Sequence, residues 1–399
     1  MNSARAMVED FLSPFTVPAV DFAESPPRAA WVEVDLDAFV RNIRLIRAQL
    51  PDRIRLLYVV KDDAYGLGAA VMSRLALENG VNQLAVYTIE EGIELRRAGI
   101  NAPILILGER LPDELPWCIR FGLAPSLGTL ETARVLDRMG RESGRVIPVH
   151  IKVNSGMNRF GFKWSDADKW SAELAGLDHL EWQGALSHFA QSDELDKTFA
   201  REQLGRFLGA VETLRAAGID PKCLHMCNSG GFLDLPEAHL DMVRVGILAL
   251  GVYPSLVCRR IEGISNVMSV KARITAVQTL DPGETVGYGM RWAATGRARV
   301  AIVPVGYGDG YPRVRNEGSV LLRGRPAPLV GGVTMDALMV DVSEFDPVVP
   351  GEEVVLMGRQ GEGEISAREV AALKRSVTYD ILVNWRSRLP RRYVRGAGT

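Results

Sequence analysis

The feature that most constrains this fold is an alternation that runs from about residue 55 to 250. Short apolar runs rich in β-branched residues recur there, separated by helical patterns. The runs are Arg55–Val60, Gln83–Tyr87, Pro103–Leu107, Arg120–Ala124, Ile147–Val153, Trp182–Ser187, Cys223–Cys227 and Met242–Ile247. Glu90–Ala98 is one of the helical stretches: Ile93 and Arg97 bracket a stripe, and Gly99 stands just past its end. Eight β units with helices between them predict an α/β chain whose core is a parallel (β/α)8 barrel, in preference to an open doubly wound sheet.

The texture changes near residue 265. Ser269–Thr279 alternates through Val270, Ala272, Ile274 and Ala276, and Pro282-Gly283 makes a turn. Arg299–Val305, Gly318–Leu322, Leu338–Val342 and Glu353–Met357 read as further short strands with turns between them, which predicts a C-terminal mostly-β domain. The expected division is an N-terminal extension over 1–30, a barrel domain over 31–265 and a β domain over 266–399. A chain of 399 residues exceeds one ordinary core, in keeping with two domains.

A net charge of −2 offers no basic excess for nucleic acid or an anionic membrane surface, and no stretch is long and apolar enough to span a bilayer. The first thirty residues are broken by Pro14, Pro18, Pro26 and Pro27 and carry Glu9, Asp10, Asp21 and Glu24. They lack a basic segment followed by an apolar run, so no secretory signal is expected and a cytoplasmic location follows by default. Cys223 and Cys227 flank His225, but the spacing matches no zinc pattern. Together with Cys118 and Cys258 they read as buried thiols in a reducing compartment, with no metal expected.

Barrel enzymes carry their chemistry on the loops that follow the strands. Lys61 follows Leu56-Leu57-Tyr58-Val59-Val60, and a partly desolvated amine has a lowered pKa and forms imines readily. The competing reading is a strand-end lysine that snorkels to water. Asp62-Asp63-Ala64-Tyr65-Gly66-Leu67-Gly68 then places a phenol and two glycines at an expected helix entrance, where they suit a phosphate. Past the seventh run, His225-Met226-Cys227-Asn228-Ser229-Gly230-Gly231 offers small polar residues and backbone amides, with Arg244-Val245-Gly246-Ile247 on the eighth. Taken alone, Asn-Ser-Gly-Gly is also an ordinary turn. His188 ends the sixth run, either as a satisfied core residue or as a ring stacked on a planar cofactor. Arg159 lies on a glycine-flanked loop, suited to a carboxylate or to a surface ion pair. In the β domain, Gly306-Tyr307-Gly308-Asp309-Gly310 surrounds a tyrosine with glycines, as a close-approach loop or a plain hairpin.

Val59-Val60-Lys61-Asp62-Asp63-Ala64-Tyr65-Gly66-Leu67-Gly68 resembles the pyridoxal-phosphate lysine motif of the alanine racemase family. Trp31–Ala38, Lys152–Gly161, Ser187–Asp193, His225–Ser229, Met242–Gly251, Gly306–Tyr311 and Val333–Asp336 resemble further blocks of that family, in its order, over about residues 31–395. The resemblance implies a cofactor, pyridoxal 5′-phosphate, joined to Lys61 as a Schiff base, and a small amino-acid substrate. It implies a homodimer with shared active sites, in which Lys61 and the partner subunit's Tyr307 act as two bases on opposite faces. Arg159 would bind the substrate carboxylate, with Lys152 orienting it where many relatives carry a carbamylated lysine. His188 would sit near the cofactor phenolate, and Arg244, supported by His225, would face the pyridine nitrogen. Tyr65, Asn228, Ser229, Gly246 and Ile247 would surround the phosphate. Tyr288 and Met335 would line the substrate entrance, with Asp336 in a supporting place beside Met335.

The sequence departs from the family pattern at Leu67, at Asp62-Asp63, at Gly332 and at Thr334. Ser387 stands where many relatives place a tyrosine that narrows the pocket, so a substrate range reaching serine is a second expectation. A basic amino-acid decarboxylase of similar architecture would carry a His-x-Gly-Ser signature and a triple-glycine loop, and the sequence has neither. A non-catalytic carrier of the cofactor would need only the barrel.

Overall fold

The computed structural model describes residues 28–396, so nearly all of the expected N-terminal extension lies outside the described residues. Strand β1 is Ala30–Asp35. The eight alternating units then supply β2 (Arg55–Val59), β3 (Gln83–Val86), β4 (Ile104–Ile106), β5 (Leu123–Leu127), β6 (Ile147–Asn154), β7 (Leu180–Leu186), β8 (Leu224–His225) and β9 (Met242–Val245). They pair in parallel in the order β9-β2-β3-β4-β5-β6-β7-β8. The ring is shut between β8 and β9, where Asp241 N–H donates to Leu224 O (3.0 Å) and Arg244 N–H to Cys227 O (3.1 Å). Strands β3, β4, β5 and β9 are buried along their whole length, as expected where helices cover one face and side chains fill the other. Leu57, Ala85, Leu105, Ala124, Leu186 and Met242 form that inner filling.

The second domain is antiparallel in the main. Its strands are β10 (Met268–Arg273), β11 (Ala276–Leu280), β12 (Ala298–Val303), β13 (Ser319–Leu322), β14 (Arg325–Pro328), β15 (Leu338–Asp341), β16 (Glu353–Gln360), β17 (Gly363–Ile365) and β18 (Arg391–Val394). One sheet runs β14-β13-β16-β10-β1-β18 with β17 beside β16, and the other β11-β12-β15. Strand β1 therefore joins this sheet, antiparallel to β10 and parallel to β18, before Asp35 caps the first barrel helix, Leu36–Ala48.

Two expected strands are placed differently. Arg120 ends a helix, Leu115–Arg120, and Gly122 at φ +59° closes it before β5 begins at Leu123. Ser269–Thr279 is two strands in two sheets. The break falls where Ile274 N–H donates to Glu352 O (2.9 Å) and Thr275 N–H turns to Ile302 O (2.9 Å).

The segment after β2 is not the entrance to a right-handed helix. Asp62, Asp63, Ala64 and Tyr65 all have φ between 51° and 58°, a left-handed turn that costs roughly 1–2 kcal/mol per ordinary residue. Contacts from elsewhere hold it. Asp62 N–H donates to Glu91 Oε1 (2.5 Å), and Ala69 N–H to Asp63 Oδ1 (2.6 Å). From β18, Arg391 Nε donates to Gly66 O (2.7 Å) and the Tyr393 hydroxyl to Leu67 O (3.0 Å). The second domain thus clamps the turn that carries Lys61.

Gly68, at φ +95°, lies so close to Tyr393 that a methyl group there would run into the hydroxyl. Gly68→Ala should therefore lower unfolding stability by about 1–3 kcal/mol. Adding Tyr393→Phe should restore part of the loss, because the clashing atom is gone. Denaturant unfolding of both variants checks this, and strictly additive losses would contradict the clamp.

Candidate active site

The strand ends converge on one cavity of about 420 Å³ at the C-terminal mouth of the barrel. Its walls include Lys61, Tyr65, Lys152, Arg159, His188, Asn228, Ser229, Arg244, Gly246 and Ile247, all singled out from the sequence. Val59, Tyr87, Leu107, Phe160 and Tyr379 complete the lining. Among the described residues no carboxylate lines it, whereas two lysines and two arginines do.

Arg244, on β9, is buried and its guanidinium is met only by neutral groups. Nη1 donates to His225 O and His225 Nδ1, both at 3.0 Å. Nη2 donates to Ser187 O (2.8 Å), Met226 O (3.1 Å) and His188 Nδ1 (3.1 Å). The acceptors come from the ends of β7 and β8, so closure of the barrel assembles them. Burial lowers the Arg244 pKa only to about 10, and the group stays cationic.

That uncompensated charge sets the neighbours. Burial, then the charges of Arg244 and Arg159, hold the Lys152 amine well below its usual range. Lys61 is also depressed: burial leads, Arg159 adds, and Glu91 and Asp62 oppose. The Lys61 amine therefore faces the cavity largely shielded from water, which argues against a snorkelling lysine. Arg159 has no ion-pair partner among the described residues, which removes the surface ion-pair reading.

The far end of the cavity is formed by Tyr65, Asn228, Ser229, Gly246 and Ile247. Ser229 is buried, and Gly246 has no room for a side chain because the Tyr65 hydroxyl lies against it. Burial keeps Tyr65 a neutral phenol, and so a hydrogen-bond donor. The Asn228 side chain accepts from Gly231 N–H (2.9 Å) and from the Ser192 hydroxyl (2.7 Å), fixing the loop.

The remaining predicted residues lie elsewhere. Tyr307 and Tyr288 line a separate cavity in the β domain, with Arg313 and Thr334. The Tyr307 loop is pinned by Tyr307 N–H to Thr334 O (3.0 Å) and Gly308 N–H to Met335 O (2.9 Å). Met335 is half exposed and Tyr288 almost wholly so. Asp336 pairs with Arg388 at 2.6 Å. His225 is buried behind Arg244 and touches no cavity space. Ser387 is exposed in a surface depression beside Asp62, Asp63 and Gly66, away from the cavity.

Two residues that matter here were not found by reading the sequence. Glu91 accepts from the backbone of Asp62, Tyr87 (2.8 Å) and Thr88 (3.0 Å), and so fixes the approach of the Lys61 turn. A Thr-x-x-Glu capping box at Thr88 was its available signal. Tyr379 reaches the cavity from the helix Thr378–Asn384, three positions before buried Leu382, and carries no motif.

Comparison with known proteins gives one consistent match. Residues 34–254 match the family "Alanine racemase, N-terminal domain" and residues 267–393 "Alanine racemase, C-terminal domain". An alanine racemase of Symbiobacterium thermophilum is 41% identical over 367 residues, 92% of this chain and 97% of that one. The solved structure of alanine racemase from Clostridium difficile 630 superposes with a TM-score of 0.89 at 32% identity, covering 94% of this chain and 98% of that one. Alanine racemase from Bartonella henselae, solved with covalently bound pyridoxal phosphate, gives 0.83 at 25% identity over 92% of this chain and 100% of that one. No helix among the described residues is long and apolar enough to cross a membrane.

Three imidazoles in this site are held neutral. Burial, then the charges of Arg55 and Arg244, pushes His150 down to about 3 from 6.5. Burial and the Arg244 charge likewise put His188 and His225 well below the usual range. A folded pKa below the unfolded one means that the unfolded chain takes up the proton first. The stability contribution is complete above the unfolded value and is lost as pH falls from 6.5 towards about 3. Within that window His150 should contribute a slope of about 1 kcal/mol per pH unit. Urea unfolding at pH 6 and pH 5 should therefore show wild type losing about 1 kcal/mol more than His150→Asn. Equal losses in the two proteins would contradict the neutral state of His150.

Proposed function

The chain belongs to the alanine racemase family, and from that membership we propose that its barrel cavity binds pyridoxal 5′-phosphate on Lys61 and interconverts L- and D-alanine as a homodimer with shared sites. The observation that carries this reading is a cavity lined by two arginines, two lysines and, among the described residues, no carboxylate, with an amine of depressed pKa at one end and the Tyr65–Ser229–Gly246 cradle at the other. A planar aldehyde bearing a dianionic phosphate matches both ends in charge and reach.

The cofactor, when bound, supplies the electron sink that acidifies the substrate's α-hydrogen. The chain's residues do the rest. Arg159, free of ion pairs among the described residues, binds the substrate carboxylate in a two-pronged contact, with Lys152 beside it in the same cavity wall. Arg244, already protonated, would lie on the ring-nitrogen side of the cofactor and would disfavour protonation of that nitrogen. Lys61 takes or returns the α-proton on one face. The partner subunit's Tyr307 does so on the other, because both enantiomers must be deprotonated.

The dimer is supported by where Tyr307 lies. Within one chain it opens onto a β-domain cavity separate from the barrel mouth. Tyr288, Met290 and Met335 around it are largely exposed apolar side chains, as expected of a face that another copy covers. On substrate range, Tyr379 lines the cavity while Ser387 stands outside it, so the arrangement supports alanine over larger amino acids such as serine. The four buried free thiols agree with a reducing, cytoplasmic setting.

Purified wild type and Tyr307→Phe should show the visible absorption of a lysine-linked pyridoxal, and Lys61→Ala should lack it. Each variant alone should be inactive. Mixed under subunit exchange, they should regain up to about a quarter of wild-type activity, from hybrids with one intact site. A retained band in Lys61→Ala, or no recovery despite verified exchange, would contradict the assignment.

A further inference from the structure

We infer that His150, beneath the cavity, is a positioning residue: it ends a hydrogen-bond relay from Arg244 through His225 and fixes His225 as its Nε2–H tautomer. His150 lies on β6, two positions before Lys152, so both side chains point to the barrel interior. Its Nδ1 is 2.9 Å from His225 Nε2, with the two rings nearly perpendicular at 78°. The space for this contact is made by the neighbouring strand. His150 faces Gly184 of β7, where the register shifts, and a methyl group at Gly184 would collide with the His150 ring.

The donor chemistry leaves one arrangement. A guanidinium has only donors, so His225 Nδ1, 3.0 Å from Arg244 Nη1, must accept. A neutral imidazole that accepts at Nδ1 carries its proton at Nε2, which then donates to His150 Nδ1. His150 therefore accepts there and carries its own proton at Nε2. An imidazolium at either position would set two donors against each other. The surrounding charges, Arg55, Arg244 and Lys152, all oppose one. A second branch runs from Arg244 Nη2 to His188 Nδ1 (3.1 Å), which leaves the His188 Nε2–H free to donate towards the cavity.

The consequence is mechanical. His225 contacts the guanidinium with both its backbone carbonyl and its ring, and the ring holds its plane only while Nε2–H has an acceptor. Remove that acceptor and a buried N–H is left unpaired, which the ring relieves by turning or by changing tautomer. Arg244 then loses one fixed contact of the five that aim it. The kinetic consequence rests on the proposed role of Arg244 opposite the cofactor ring; the tautomer itself does not.

The test uses the holoenzyme labelled with 15N-histidine. The sequence has five histidines, so single substitutions assign the resonances. Long-range 1H–15N spectra at pH 7 should show His150, His188 and His225 neutral with the proton on Nε2. His150→Asn places an amide oxygen where Nδ1 stood, and should keep the His225 signature and a kcat within about threefold of wild type. His150→Leu offers no acceptor; it should shift His225 out of the pure Nε2–H form and lower kcat about tenfold, with little change in KM. An Nδ1–H or imidazolium His225 in wild type would overturn the relay, as would an unchanged His225 spectrum in His150→Leu. A tautomer change without a fall in kcat would overturn the positioning role. Protein that holds no pyridoxal phosphate would defeat the functional reading instead, and the tautomer spectra would still decide the relay.

Discussion

The guanidinium of Arg244 is buried at the mouth of a closed barrel with no carboxylate to neutralise it, and the rest of the site follows from that charge. Its acceptors are two backbone carbonyls from the end of β8, one from the end of β7, and two imidazole nitrogens. Only a sheet closed on itself brings those three strand ends to one point. Burial first, and this charge second, hold His188 and His225 neutral and press the Lys152 amine towards its neutral form. A buried cation of this kind is costly unless something negative completes it.

The turn that carries Lys61 shows a second dependence. Four successive residues in left-handed conformation would relax if the chain were free. Glu91 holds the turn from the barrel side, and Arg391 and Tyr393 hold it from β18. Strand β18 lies beside β1, the strand that leads into the barrel. The second domain therefore acts within its own chain as well as carrying Tyr307. It fixes the backbone beside the lysine of its own barrel.

Much of this was legible in the sequence, because barrel chemistry sits where strands end. Eight apolar runs located the strand ends, and the polar residues just past them proved to share one cavity, from Lys61 through Asn228 to Ile247. What was not legible depends on contacts distant along the chain. Asp62 to Tyr65 read as a helix entrance, since nothing local announces that Arg391 and Tyr393 hold them otherwise. Tyr379 lies in a short helix without a motif. Ser387, by contrast, drew attention by alignment with a family tyrosine, yet its side chain is exposed outside the cavity. His150 read as an interior strand residue, because its role requires a ring that only the fold places next to it.

The most direct test of the account is chiral chromatography of alanine incubated with the purified protein and pyridoxal phosphate, started separately from each enantiomer. The account predicts that both reactions end at equal amounts of L- and D-alanine, with no loss of total alanine, and that Lys61→Ala shows neither conversion. Net loss of alanine to an amine, or no interconversion by protein that carries the cofactor, would contradict it.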